Sequence, residues 1–293
     1  MTPSSPLQPA TDAAPQAGRG PRRILGHLGE TFAGALQRLF RPVRPGASPA
    51  LRLFDSGAER FCAALLALAL ILAGMAYLDP IFQGVRAYTS GTSAIIWEAV
   101  TDIGKSAWVL IPSGVAILVI FTVVRPVRGF ADKVMLALAA RLAFVFIAVG
   151  GSGLIITIVK RIIARGRPRY FEEFGALHFQ FPSWASSYAS FPSGHSQTAF
   201  AIGVAFAALF PRWRTAFIAA AAVVAFSRIA VDAHYFTDIV VGSLWGTWFT
   251  LMTRDWFARR ALVFTPGPPR RPFPMPVRRV RQALGRMVRR LAG

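Results

Sequence analysis

Lys160 stands ahead of Arg167-Pro168 in the pattern K-x6-R-P. Pro192-Ser193-Gly194-His195 follows as P-S-G-H, and Ser227-Arg228, His234 and Asp238 complete the series as S-R-x5-H-x3-D. Together they supply fixed cations, a serine hydroxyl, a glycine amide, two imidazoles and a carboxylate. Such a set suits a phosphate dianion under attack at phosphorus. A phosphoryl transition state spreads charge over its equatorial oxygens, so several fixed donors stabilise it. His234 and Asp238 are four residues apart, a spacing that shares one face of a continuous helix and that also lets them touch across a turn at Tyr235-Phe236-Thr237. A carboxylate on one imidazole nitrogen fixes the tautomer and frees the other nitrogen to attack. Two His and an Asp also suggest zinc, but the surrounding cations would repel it, so no metal or other cofactor is expected.

The elements that must hold these groups are membrane helices. The chain has 293 residues, 54% hydrophobic and 16% charged, which is too apolar for a soluble domain of this size. A bilayer crossing needs roughly 20 apolar residues. Suitable runs occupy about 61–78, 106–124, 134–159, 195–211, 215–234 and 237–253. The expected fold is all-α, a bundle of six transmembrane helices. In such a bundle the third run ends at Lys160 and the fourth starts at His195. The fifth ends near His234 and the sixth starts near Asp238. All three clusters then fall on one face of the membrane, at helix ends.

The formal net charge of +20 admits a nucleic-acid binder, but its distribution speaks for a membrane. From Arg254 onward there are eleven Arg and one acid, Asp255, and residues 1–60 carry eight Arg and four acids. The connectors 125–133 and 211–214 are also basic and fall on the same side of a six-span bundle. By the positive-inside rule that side is the cytoplasm. The opposite connector, 160–194, breaks the rule with Lys160, Arg161, Arg165, Arg167 and Arg169 against Glu172 and Glu173. An anion site would account for that excess.

These motifs, in this order over about residues 61–254, resemble the type-2 phosphatidic acid phosphatase (PAP2) superfamily of membrane lipid phosphatases. The resemblance implies a nucleophilic His234 oriented by Asp238 and a phosphohistidine intermediate. It implies that His195 protonates the leaving oxygen and then activates water. Lys160, Arg167 and Arg228 match the family's phosphate-binding cations, with the Ser193 hydroxyl and Gly194 N–H as further donors. Phe236 departs from the family, where proline often stands. Residues 101–108, TDIGKSAW, also look like a segment of bacterial members, which makes Asp102 and Lys105 candidate headgroup contacts.

Around this core, residues 1–22 read as disordered, and 23–44 and 276–292 as amphipathic helices lying in the membrane interface against anionic headgroups. The Pro-rich stretch 266–276 reads as an extended linker. No cleavable leader is expected ahead of the first run. Cys62 is the only cysteine, so no internal disulfide forms. His178 reads as structural, and Arg141 as a snorkelling cation without chemistry. The connector 166–191 is rich in aromatics and reads as an interfacial belt or a rim that admits a lipid chain.

Three parts are expected: a basic cytoplasmic region 1–60, a phosphatase domain 61–254 and a basic cytoplasmic tail 255–293. The expected activity is metal-independent hydrolysis of a lipid phosphate or pyrophosphate at the periplasmic face of a bacterial inner membrane, with no nucleic-acid partner. Phosphatidic acid, phosphatidylglycerol phosphate, undecaprenyl pyrophosphate and the lipid A 1-phosphate group all fit. A lipid phosphotransferase with the same site is the first alternative, and a non-enzymatic carrier or scaffold the second.

Overall fold

The computed structural model describes residues 21–43, 56–89, 92–124, 129–275 and 277–292, and the described residues are helical with no β-strand. The stretch read as disordered lies outside the described residues up to residue 20, as do Arg125 and Arg128.

α1 (Pro21–Phe40) precedes α2 (Gly57–Ala73). A capping box starts α2: Ser56 Oγ accepts from the Glu59 N–H at 3.0 Å, and Glu59 accepts from the Ser56 N–H. A wide turn over Gly74–Leu78 leads into the short α3 (Asp79–Phe82). α4 (Thr92–Asp102) and α5 (Ala107–Val123) are separated by a break at 103–106. α6 (Phe130–Ile163) runs 34 residues and ends where Ala164 adopts φ 47°, a left-handed position that stops the helix. The short α7 (Phe171–Phe174) lies in the connector to α8 (Gly194–Leu209). α9 (Arg214–Ala230) and α10 (Phe236–Arg259) complete the bundle, and α11 (Val277–Ala292) follows the tail strap.

Four stretches are long and apolar enough to cross a membrane: Gly57–Val85, Ser93–Val123, Phe130–Ile163 and Pro211–Ala230. α8 and α10, expected as the fourth and sixth spans, form at those places but fall short of that measure. α8 has only 16 residues, and the apolar run of α10 is diluted by Thr237, Asp238, Ser243, Thr247, Thr250 and Thr253. α8 is the interior helix, while α10 turns Val240, Leu244 and Trp248 outward. α8 packs against α6, α9 and α10, so it is covered by protein and can carry polar residues such as Gln197 and Thr198, both buried. The close approach of α8 and α10 depends on two glycines. A Cβ on Gly242 would run into the Ser193 carbonyl, and one on Gly246 into that of Gln197.

One expectation needs correction, that of the linker, and two other regions gain contacts that the sequence did not show. The connector 79–105 is largely helical, and α4 leans on α9 through Trp97 and Phe226, ring centroids 5.6 Å apart. The tail at 261–273 is no extended linker but folds back on itself. Thr265 N–H donates to Arg271 O and Phe273 N–H to Val263 O, while Val263 and Phe264 bury against Phe144 and Phe257. Arg141 pins this strap by donating to Phe273 O. The amphipathic helices also sit on the bundle: Leu28 and Ala35 of α1 and Val280, Ala283 and Met287 of α11 close over Ile120, Phe121 and Met135.

Candidate active site

The three clusters meet at one end of the bundle because each sits at a helix terminus there. Lys160 lies in the last turn of α6. Ser193 caps α8: its Oγ accepts from the Ser196 N–H at 3.4 Å and from the Ser196 hydroxyl at 3.0 Å. Arg228 is near the end of α9, where its carbonyl accepts from the Ala233 and His234 N–H groups. That turn, with Asp232 at φ 53°, swings His234 back over the helix end. Asp238 opens α10 and takes the Tyr235 N–H at 3.0 Å.

His234 and Asp238 are therefore not joined by a continuous helix. They come together across the Tyr235 cap, with Nδ1 3.5 Å from Asp238 Oδ2. This is ion-pair range but longer than a formed hydrogen bond, and such contacts commonly tighten only when substrate binds. His234 is buried. Burial, as the leading cause, pulls its pKa down to about 4; Asp238 opposes this, and the Arg228 and Lys160 charges add to it. The ring is thus neutral at pH 7, as an attacking nitrogen must be.

The cations surround this imidazole. Charge interactions link Lys160 with Arg167, Arg228 and Asp238, and His195 with Arg228, His234, Lys160 and Lys105. Lys160 Nζ is so near Gly194 that a Cβ there would lie 3.3 Å from it. Arg167 is held by Ser186 O at 2.9 Å and reaches Ala233 O, beside His234, at 3.4 Å. Arg228 donates to Thr101 Oγ1 at 2.6 Å, and its buried Nε has no protein partner. His195 is half-buried, with Gly104 of the α4–α5 break against its Cδ2. All the motif residues are brought together. Asp102 and Lys105 pair with each other at 2.8 Å, mostly exposed, at the edge of the same site.

The sequence reading passed over Arg165 and Asp79. Both are fully buried directly behind Asp238, and Arg165 bonds to both carboxylates at 2.7 Å. Ser190 donates to Asp238 Oδ2. A charged residue beside an apolar span is costly unless it has work to do, and Asp79, closing the first apolar run, was the available signal. His178 is structural as expected, stacked on Phe174 at 4.3 Å and facing Tyr188.

A family model for the PAP2 superfamily matches residues 140–261, which hold all three clusters. A lipid A 1-phosphatase of Rhizobium johnstonii is 39% identical over 177 residues, 58% of this chain and 70% of that protein. The chain belongs to the PAP2 superfamily. A lipid A 1-phosphatase of Rhizobium etli is 37% identical over 58% of this chain and 74% of that protein. Among solved structures, a transmembrane PAP2-type phosphatidylglycerolphosphate phosphatase from Bacillus subtilis is similar, with TM-score 0.46 and 19% identity over 67% of this chain and 93% of that one. This PAP2 protein is an integral-membrane lipid phosphatase.

Proposed function

We propose that this PAP2 phosphatase removes the 1-phosphate of lipid A through a phosphohistidine at His234, without a metal ion. The observation that carries the mechanism is the buried His234 ring backed by Asp238, with Lys160, Arg167 and Arg228 about it. The two lipid A 1-phosphatase relatives support the substrate.

In the first step His234 Nε2 attacks phosphorus while Asp238 holds Nδ1–H, and His195, which gains its proton when the phosphate dianion offsets the cations around it, protonates the departing sugar oxygen. The P–O bond breaks as the P–N bond forms. His195, now neutral, takes a proton from water, whose oxygen attacks the phosphohistidine. Inorganic phosphate leaves and His234 is restored. Lys160, Arg167 and Arg228 bind the equatorial oxygens, and they supply the positive charge that a metal supplies in other phosphoryl-transfer sites. The Gly194 N–H at the start of α8 adds a donor, favoured by the helix dipole. Ser193 Oγ accepts two hydrogen bonds and keeps its own hydrogen to give. Asp102 and Lys105 lie at the edge where the sugar headgroup would rest. The exposed Phe174, Leu177, Phe181 and Trp184 of the connector suit contact with acyl chains.

We read α8 and α10 as the remaining two spans, giving six. Residues 61–254 form the phosphatase domain, with the basic regions 1–60 and 255–293 cytoplasmic and the site facing the periplasm of a bacterial inner membrane. The test of substrate is phosphate release by the purified protein in excess EDTA from a panel of lipid A, phosphatidic acid, phosphatidylglycerol phosphate and undecaprenyl pyrophosphate. Lipid A should give the highest kcat/KM. A stronger preference for another lipid would overturn the substrate, and restoration of activity by Mg²⁺ or Zn²⁺ would overturn the metal-free step. Orientation is tested in a Cys62→Ser background with Trp184→Cys or Arg281→Cys. The first should react with an impermeant maleimide in intact spheroplasts and the second only after lysis; the reverse pattern would place the site in the cytoplasm.

A further inference from the structure

Arg165 is fully buried, yet all five of its guanidinium N–H donors are used. Nε and Nη2 donate to Ala176 O at 3.0 and 2.6 Å. Nη1 donates to Asp238 Oδ1 at 2.7 Å and to Thr237 Oγ1 at 3.0 Å. Nη2 also donates to Asp79 Oδ2 at 2.7 Å. The plane of the group lies over the Tyr235 ring, 4.1 Å from its centroid. Asp79 in turn accepts the Thr237 N–H at 2.8 Å and the Thr237 hydroxyl at 2.6 Å, and so holds the first turn of α10.

Three chain segments meet at this one side chain: the end of the first membrane helix, the external connector and the start of α10. Asp238 is fixed at both oxygens. Oδ1 belongs to Arg165, while Oδ2 takes the Tyr235 N–H and the Ser190 hydroxyl and faces His234. A carboxylate so held cannot turn away from the imidazole. Two buried carboxylates sharing one guanidinium also leave one net negative charge behind His234, rather than the two that would hold its proton too firmly.

We propose that Arg165 and Asp79 form a positioning pair for the hydrolytic step, holding the Asp238 carboxylate against His234 and hooking the external connector to the first membrane helix. The inference rests on the roles of His234 and Asp238 given under Proposed function. Neither residue of the pair touches substrate; both act through Asp238.

The test measures kcat, KM and the acid limb of kcat/KM for lipid A in detergent micelles, with the folded fraction followed by circular-dichroism melting. The groups facing His234 are Asp238 on α10, Arg228 on α9, Lys160 on α6, His195 on α8 and Arg167 of the connector. Removing the Arg165 charge leaves Asp238 less compensated, so His234 holds a proton more firmly. Arg165→Met should lower kcat about a hundredfold with KM within about twofold, and move the acid limb to higher pH. Arg165→Lys restores the charge without the fork, so the limb should return while kcat recovers only in part. Asp79→Asn keeps an oxygen for the Thr237 N–H and should lower kcat about tenfold. If both Arg165 variants fail to insert, Asp79→Asn decides. Wild-type kcat in Asp79→Asn, or activity that falls only with the folded fraction at an unmoved acid limb, would overturn the pair. His234→Ala and Asp238→Asn run alongside. Activity retained in those two would sink the underlying mechanism instead, whereas their loss beside a normal Asp79→Asn sinks only the pair.

Discussion

Arginine is put to opposite uses at the two ends of this molecule. At the site end, Arg165 is fully buried with every donor spent, and Arg167 and Arg228 are each held by oxygens of neighbouring segments. At the other end, α11 carries six Arg and no acid. Its apolar side packs on the bundle, and Arg278, Arg281, Arg286 and Arg289 line an open groove. A fixed charge in a dry site can stabilise a transition state without rearranging. A mobile charge on an open face attracts headgroups, and salt screens it. Charge count alone separates neither case; confinement does.

The largest effect should come from the fixed end. His234→Ala removes the proposed nucleophile and should lower turnover by about 10⁴-fold or more while the protein still inserts, and Asp238→Asn by about 10³-fold, mostly in kcat. Activity of His234→Ala within about tenfold of wild type would show that this imidazole does not attack. A middling effect should follow at the contact between α8 and α10. Gly242→Ala forces a methyl into the Ser193 carbonyl and displaces the P-S-G-H turn, so kcat should fall about tenfold with a lower Tm. A variant matching wild type in both would mean that the turn yields without moving His195. The smallest effect belongs to the open end. Arg281→Gln with Arg286→Gln should leave kcat in detergent within about twofold, yet weaken binding to anionic vesicles by about 1 kcal/mol per charge. A large loss of kcat in detergent would tie the two ends together and break the contrast.

Much of the helical frame could be read from the sequence, because apolar runs and motif positions agree. The run expected from 106 forms α5 from Ala107, and that expected from 195 forms α8 from Gly194. What escaped was structure decided by contacts distant in sequence. α4 is short and lacks a bilayer-length run of its own; its support is α9. The tail strap reads as Pro-rich and extended, yet two side chains, Val263 and Phe264, bury and fold it back. The motif residues were visible because spacing defines them. Arg165 and Asp79 were not, since they sit 86 residues apart and neither belongs to a motif. Within the third cluster, the spacing of His234 and Asp238 left a helical face and an intervening turn both open, and a turn at Asp232 with a cap at Tyr235 brings them together.

The hook between Arg165 and the connector that joins α6 to α8 ends on a main-chain oxygen, that of Ala176. Every amino acid carries that oxygen. The connector can therefore drift in sequence, or be exchanged by grafting for one shaped to another lipid, without unfastening the carboxylate behind His234. What such a graft must preserve is the path of the backbone at one residue, not the identity of the side chain there. A protein built this way separates the evolution of what it grips from the chemistry it performs.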